Sequence, residues 1–357
     1  MDIKRAFNLP ICLCLIVEQE KLSHIMDNKK QSLIYLAAAS HSGSTMLAML
    51  LGAHPDLCSV GELKAGHLGD KNSYLCSCKS LLEECEFWRG VSEKMASRGQ
   101  SFCIFDAGTD IRSNASPYVL FLLKPLVRRR SVEWMRDVLL NISPSWRKQL
   151  ARLQRRNADY VRAVAEQAGA DAVVDSSKTG IRLKYLLKNK DLDIKVVWLV
   201  RDGRGVSLAY KNPSEYADAK DPEFRGGGAE KTQEQGRNVA AGAHEWLRCN
   251  QETEAVLATM TEDKWLKVHY EDLCDNTESE LNRIFEFIGV NPGKKRMDFK
   301  AVEHHVLGNG MRFDSSSLIT LDDRWKTELT QVELNEFAQA AGGYNESVGY
   351  SSNERRL

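Results

Sequence analysis

Apolar residues along this chain gather in short blocks separated by longer stretches with helical spacing. Three blocks, SLIYLAAA at 32–39, AVVDSSK at 172–178 and IKVVWLV at 194–200, have the length of strands. They lack the alternation of a half-exposed strand, which predicts strands buried on both faces of a parallel sheet. A fourth, KWLKVHYEDL at 264–273, reads as a strand with a polar end. Helical spacing marks Thr45 to Leu51, 126–140, 146–169, 181–189 and 278–289, the last stopped by Gly289. RDGRGVSLAY at 201–210 reads as a loop running into a helix. Strands alternating with helices predict an α/β fold of three layers, a central parallel sheet with helices on both faces.

Length adds organisation. With 357 residues the chain can bury a large core. We expect one domain over 31–350 with a helical insertion around 115–168, preceded by an N-terminal extension (1–30) and followed by a short tail (351–357). The glycine-rich segment 223–231 reads as a flexible segment, a lid or a substrate loop. The apolar run at 11–17 is too short for a membrane span, and the basic Lys4 and Arg5 before it are not followed by a small-residue cleavage site. A cytoplasmic protein without a stable membrane span is therefore expected, and Met26 is an alternative start.

Lysines and arginines number 49, as do aspartates and glutamates. A net charge of zero argues against a bulk nucleic-acid binder, so any anion site must come from local clustering. Nine cysteines at irregular spacing form no disulfide framework in a chain of this length. Cys76, Cys78 and Cys85 do cluster in CSCKSLLEEC. They read either as a thiol-rich packed loop, the favoured reading, or as zinc ligands lacking a fourth, with His67 nearest in sequence. His304 and His305 are adjacent, a poor arrangement for one ion. No metal is assigned.

Candidate chemistry begins after the first strand, where SHSGST precedes a helix. A strand, small residues and a helix N-terminus bring backbone N–H groups around one point. Gly43 permits close approach, and Ser42, Ser44 and Thr45 add hydroxyls. A nucleoside triphosphate loop would carry a Gly-Lys pair, which is missing here. A plain helix cap is the alternative.

Further motifs in register give the loop a specific meaning. His41-Ser42-Gly43-Ser44-Thr45, VVDSSK at 173–178, Arg201-Asp202-Gly203-Arg204, Tyr270 of YEDL and HHVLGNGMRF at 304–313 stand in order. The chain resembles the sulfotransferases that use 3′-phosphoadenosine 5′-phosphosulfate (PAPS), nearest in layout to the bacterial and protein-tyrosine branches. The resemblance implies a P-loop-like fold and a loop, Ser42 to Thr45, that cradles the phosphosulfate. It implies that Arg201 and Arg204 hold the 3′-phosphate, that Tyr270 lines the adenine pocket, and that Arg312 adds a cation. Arg201 and Arg204 could instead form an ion-pair turn with Asp202. PAPS would be the co-substrate and the bisphosphate PAP the product, with no metal required.

Transfer to a hydroxyl needs a base, in-line geometry and positive charge at the reacting oxygens. The resemblance to the protein-tyrosine branch points to Glu62 as base, with one residue of spacing different; an exposed loop carboxylate or a helix cap is the alternative. The geometry allows the base: the helix after the loop rises only ~12 Å, and the eight residues before Glu62 can span up to about 26 Å. Lys178, ending the VVDSSK strand, is the candidate cation, and Asp175 is read as orienting that loop. Ser176 and Ser177 are candidate donors to the phosphosulfate or caps of the next helix. His41 stands where relatives carry Lys or Arg. It acts either as a neutral donor, the favoured reading, or as an imidazolium. The family's second phosphate-binding serine falls at Ala209, and Ser207 lies two residues early. Trp246 and Trp325 read as core or pocket walls.

The acceptor is a hydroxyl of a glycan, a small alcohol or phenol, or a peptide tyrosine. Basic residues concentrate between 121 and 162, a face suited to an acidic acceptor or simply to solvent. Two other readings stay open: an NTP-dependent kinase with an atypical loop, and a nucleotide-binding protein of this fold without catalysis.

Overall fold

Leu33 to Ala39 are almost wholly inaccessible to solvent, as a central parallel strand requires. The computed structural model describes residues 30–64, 71–72, 74–123, 130–212, 238–307, 313 and 316–351. Residues 1–29 of the N-terminal extension, His67, the glycine-rich segment 223–231, Arg312 and all of the tail beyond Ser351 lie outside the described residues.

Strand β1 (Gln31–Ala38) leads through the serine-rich loop into helix α1 (Ser44–Gly52), and β2 (Leu57–Ser59) follows. Helices α2 (Glu86–Ser97), α3 (Pro117–Leu122), α4 (Arg130–Ile142) and α5 (Pro144–Ala168) come next. Serines 116 and 143 cap α3 and α5, each with proline in the first turn, and Gly169 ends α5 in the left-handed conformation. Then come β3 (Ala172–Lys178), α6 (Gly180–Leu186), β4 (Leu192–Val200) and α7 (Gly203–Lys211). After the undescribed stretch, α8 (Val239–Leu257), β5 (Trp265–His269), α9 (Tyr270–Asp275) and α10 (Thr277–Ile288) follow. Short helices α11 (Trp325–Glu328), α12 (Gln331–Phe337) and α13 (Gly343–Ser347) complete the chain.

Five strands pair in the order β2-β3-β1-β4-β5, and every pairing is parallel. The expected three layers are present. Leu33, Tyr35 and Ala37 of β1 join one core cluster with residues of α5 and α8, while Ile34, Leu36 and Ala38 join another with residues of α1 and α10. That alternation is the pleat of a strand covered on both faces. A smaller cluster packs under α3–α5 around Trp146 and Tyr185.

Two details differ from the sequence reading. The polar end of the fourth apolar block is not strand: it turns into α9 at Tyr270. Strand β2 is only three residues long and lies within the stretch read as a connection. The basic stretch divides by helix. On α5, Arg147, Lys148 and Arg152 are exposed, whereas α4 exposes apolar Trp134, Met135, Val138 and Ile142. No helix among the described residues is long and apolar enough to cross a membrane.

Candidate functional site

Because all five strands run the same way, their C-terminal ends share one edge, where α/β sheets form their binding crevices. Each strand delivers part of the candidate site there: β1 the serine-rich loop, β2 Glu62, β3 Lys178, β4 Arg201 and β5 Tyr270.

The loop is built around two left-handed residues, His41 at φ 63° and Gly43 at φ 84°. Gly43 starts α1, and no side chain among the described residues caps that helix, whose first turn holds no acid. Its leading N–H groups therefore face an uncapped, electropositive end. Ser42 is buried, and its Oγ has no hydrogen-bond partner among the described residues. An orphaned hydroxyl beside an uncapped helix is the feature an anion would satisfy. Tyr270 closes the loop from below. A Cβ on Gly43 would sit 2.6 Å from the Tyr270 ring, so only glycine fits.

Lys178 Nζ and Glu62 Oε1 are 2.7 Å apart, and Lys64 Nζ lies 3.1 Å from Glu62 Oε2. A buried framework carries the pair. Asp175 Oδ1 accepts hydrogen bonds from the Leu63 and Ser177 backbone N–H groups at 3.1 and 2.9 Å. Ser177 Oγ donates to the same carboxylate and accepts from Lys64 N at 3.1 Å, and Ser176 N donates to Gly61 O at 3.0 Å. Arg182, 1% exposed, anchors Asp175 Oδ2 from 3.2 Å and donates to Thr109 O and Asn157. Asp175 thus bonds both its own strand end and the Glu62 turn, and both serines make hydrogen bonds to that turn.

Electrostatics follow the contacts. Burial alone would raise the Glu62 carboxyl, but Lys178 and Lys64 outweigh it and hold the group at about 2. His41 is lowered too, which here favours the neutral form: burial first, then the charges of Lys178 and Arg201, bring its imidazolium to about 4. It is a neutral ring at physiological pH, edge-on to Tyr210 at 5.1 Å between centroids.

The two arginines of the Arg-Asp-Gly-Arg turn part company. Arg201 reaches the loop, donating to His41 O at 2.8 Å and lying 4.6 Å above the Tyr270 ring. Its other nitrogen meets Asp322 Oδ2 at 3.0 Å. Arg204 instead forms a bidentate pair with Asp202, Nη2 to Oδ2 at 2.6 Å, and stacks on Trp325 at 3.9 Å. This is the ion-pair turn that the sequence left open, realised for Arg204 alone. Trp246 is a core residue that supports the site, its Nε1 donating to Arg201 O at 3.0 Å. Ser207 is fully buried with an unpartnered Oγ among the described residues. The sequence reading missed Lys64, Tyr210 and Asp322; only Lys64, two residues from Glu62, carried a local signal. A separate cavity of about 850 Å³ is lined by Glu133, Lys184, Arg248 and Glu252, and none of the strand-end residues lines it.

Residues 31–324 match the model of the sulfotransferase domain family. Among solved structures, the chain is similar to the sulfotransferase domain of the curacin biosynthetic pathway: 15% identity, TM-score 0.47, covering 90% of this chain and 99% of that one. It is similar also to the sulfotransferase domain of the Synechococcus PCC 7002 olefin synthase: 17% identity, TM-score 0.42, 91% and 96% covered. A third is mouse sulfotransferase SULT7A1 complexed with PAP: 11% identity, TM-score 0.42, 93% and 94% covered. No curated protein matches the chain.

Proposed function

We infer that this chain, which belongs to the sulfotransferase domain family, a family of PAPS-dependent transferases, moves the sulfuryl group of PAPS onto an acceptor hydroxyl. The observation that carries the reading is the Lys178–Glu62 pair at 2.7 Å, on the same sheet edge as an uncapped helix N-terminus. The orphaned Ser42 hydroxyl and the cations Lys178 and Arg201 fit an anionic nucleotide. When bound, PAPS supplies an activated sulfonate whose leaving group is a bisphosphate.

The chain's residues then have distinct tasks. The loop N–H groups and Ser42 bind the anion without a divalent ion. Lys178 supplies positive charge where negative charge develops. Arg201 and Tyr270 form one wall, with Arg201 the 3′-phosphate cation; Arg204 braces the turn through Asp202. Glu62 accepts the acceptor's hydroxyl proton. At about 2 it is ionised but a weak base. An anion seated at the loop competes for Lys178, leaves the burial of Glu62 less opposed, and so raises its basicity toward what proton transfer needs. His41 serves as a neutral hydrogen-bond donor. The acceptor is a hydroxyl of a glycan, alcohol, phenol or peptide tyrosine.

Radiolabelled PAPS with an acceptor panel tests the reading, with Glu62→Gln and Lys178→Ala as variants. Transfer by the parent and its loss in both variants is expected, and full transfer by both overturns the catalytic assignment. Thermal stabilisation by PAP is expected as well; stabilisation by magnesium-ATP and not by PAP would favour the kinase reading.

A further inference from the structure

The cysteine cluster read from sequence acquires a fourth member that sequence spacing hid. Residues 74–82 form a small turn. Leu75 bridges Leu81, Cys76 N donates to Ser80 O at 3.0 Å, and Lys79 adopts a left-handed φ of 70°. Cys76 and Cys78 ride on this turn, and Cys85 occupies the N-cap of α2, a position that favours a thiolate. From more than 200 residues away, His305 arrives with Nδ1 3.7 Å from Cys76 Sγ and 3.4 Å from Cys85 Sγ. Cys78 Sγ and Cys85 Sγ are 3.6 Å apart, and all four ligand atoms lie within 4.8 Å of one another.

The 3.4, 3.6 and 3.7 Å separations have the size of the edges of one coordination polyhedron. Zinc bonds of ~2.3 Å to sulfur and ~2.0–2.1 Å to nitrogen, at tetrahedral angles, set edges of about 3.8 Å between sulfurs and about 3.5 Å between sulfur and nitrogen. A disulfide would need its sulfurs at ~2.05 Å, far inside the 3.6 Å between Cys78 and Cys85. A set of three thiols and an imidazole, with no oxygen ligand, suits zinc and excludes magnesium and calcium. The histidine is also oriented for the task. Its ring stacks on Phe87 at 4.3 Å and 8°, and Glu303 Oε1 lies 3.8 Å from the other ring nitrogen, Nε2, where a carboxylate commonly supports a metal-bound imidazole. Neighbouring His304 is turned away, Nε2 to Phe299 O at 2.6 Å, so the adjacent pair does not compete for one ion.

We propose that Cys76, Cys78, Cys85 and His305 bind a zinc ion in a closed structural site that clamps the segment 304–307 beside the Glu62 turn. Binding releases the thiol protons to solvent and involves no change of oxidation state. Four protein ligands leave no open position, so the metal holds structure and takes no part in chemistry. The clamp is continuous with the sheet edge. Ser77 Oγ donates to His304 O and accepts from Val306 N at 2.8 Å. Two residues beyond His305, Leu307 N donates to Val60 O at 3.0 Å and Leu307 bridges Gly61. A Cβ on Gly61 would fall 2.4 Å from Leu307 O, so this glycine, at φ 87°, exists to admit the segment.

Elemental analysis of the purified full chain, expressed in zinc-supplemented medium, tests the site without reference to transfer activity. About one zinc per chain is expected, lost in Cys85→Ser, retained in His305→Cys, which completes a four-cysteine site, and unaffected by Cys103→Ser. Cobalt exchange should give the intense red-region bands of tetrahedral cobalt thiolate, and chelation should expose three additional thiols to a thiol reagent. Should Cys85→Ser fail to fold, the cobalt spectrum and His305→Cys still decide. Protein with negligible zinc whose cluster thiols react freely, protein carrying a Cys78–Cys85 disulfide by mass, or iron or copper in zinc's place would each overturn the proposal.

Discussion

Replacing Lys178 with methionine keeps the unbranched stem to Cε and removes the charged Nζ, which isolates what that charge does for Glu62. A carboxyl held at about 2 rather than 4.5 by its partners corresponds to about 3 kcal/mol of stabilisation. Glu62 is 32% exposed, so solvent screening reduces that to about 1–2 kcal/mol. The sign is fixed by linkage: the folded value lies below the unfolded one, so the stabilisation is complete above pH 4.5 and is lost as pH falls toward 2. In Lys178→Met Lys64 is left to oppose burial, so the folded carboxyl rises toward 4.5 and the acid-dependent loss, which still starts near 4.5, becomes smaller.

Thermal unfolding of ligand-free protein from about pH 7 to about pH 3 reads this directly, with Glu62→Gln as the reference lacking the carboxyl. Both variants should flatten the acid limb relative to the parent, Lys178→Met in part and Glu62→Gln by the whole Glu62 contribution. Transfer by Lys178→Met should fall about 10²–10³-fold, the usual cost of removing a preorganised charge. An acid limb identical to the parent's, together with a transfer rate within about tenfold of it, a loss too small for a preorganised charge, would refute the coupling of Lys178 to Glu62.

His41 should lose its share of acid stability in a higher window: its folded value near 4 lies below the unfolded 6.5, so the stabilisation fades as pH falls from 6.5 to 4. His41→Asn, which tolerates the left-handed backbone, should flatten that part of the melting-temperature curve; an NMR titration placing His41 at or above 6.5 would contradict it. Gly43→Ala combines a φ of 84° with a 2.6 Å clash against Tyr270, and should abolish stabilisation by PAP in a thermal-shift assay while costing about 1–3 kcal/mol in folding. Arg182→Met leaves Asp175 buried and unpaired and should destabilise by about 3–5 kcal/mol in denaturant titration, with Asp175→Asn added to it recovering part of the loss.

What the sequence reveals here depends on whether a residue's partner is local. Strands β1, β3 and β4 are readable because burial on both faces leaves an apolar run, whereas three-residue β2 leaves none. Positions on the site edge are readable for the same reason, since the residue that ends a parallel strand stands at that edge. Pairings are a different matter. Arg204 and Asp202 are two residues apart, so their ion pair was open to inspection as one of two fates for the turn.

Lys178 and Glu62 are 116 residues apart, and Cys85 and His305 are 220 apart. The first meeting follows from the order β2-β3-β1-β4-β5, which sets β3 between the loop-bearing strand and the short strand that feeds Glu62. Strand order is a property of the whole packed sheet, and no local period encodes it. The same order makes the Glu62 turn the meeting point of two supports, Asp175 and Ser177 from β3 on one side and Leu307 on the other. On the proposed function, a base whose proton affinity changes when an anion arrives needs a backbone that does not move with it, and this double support fits that need.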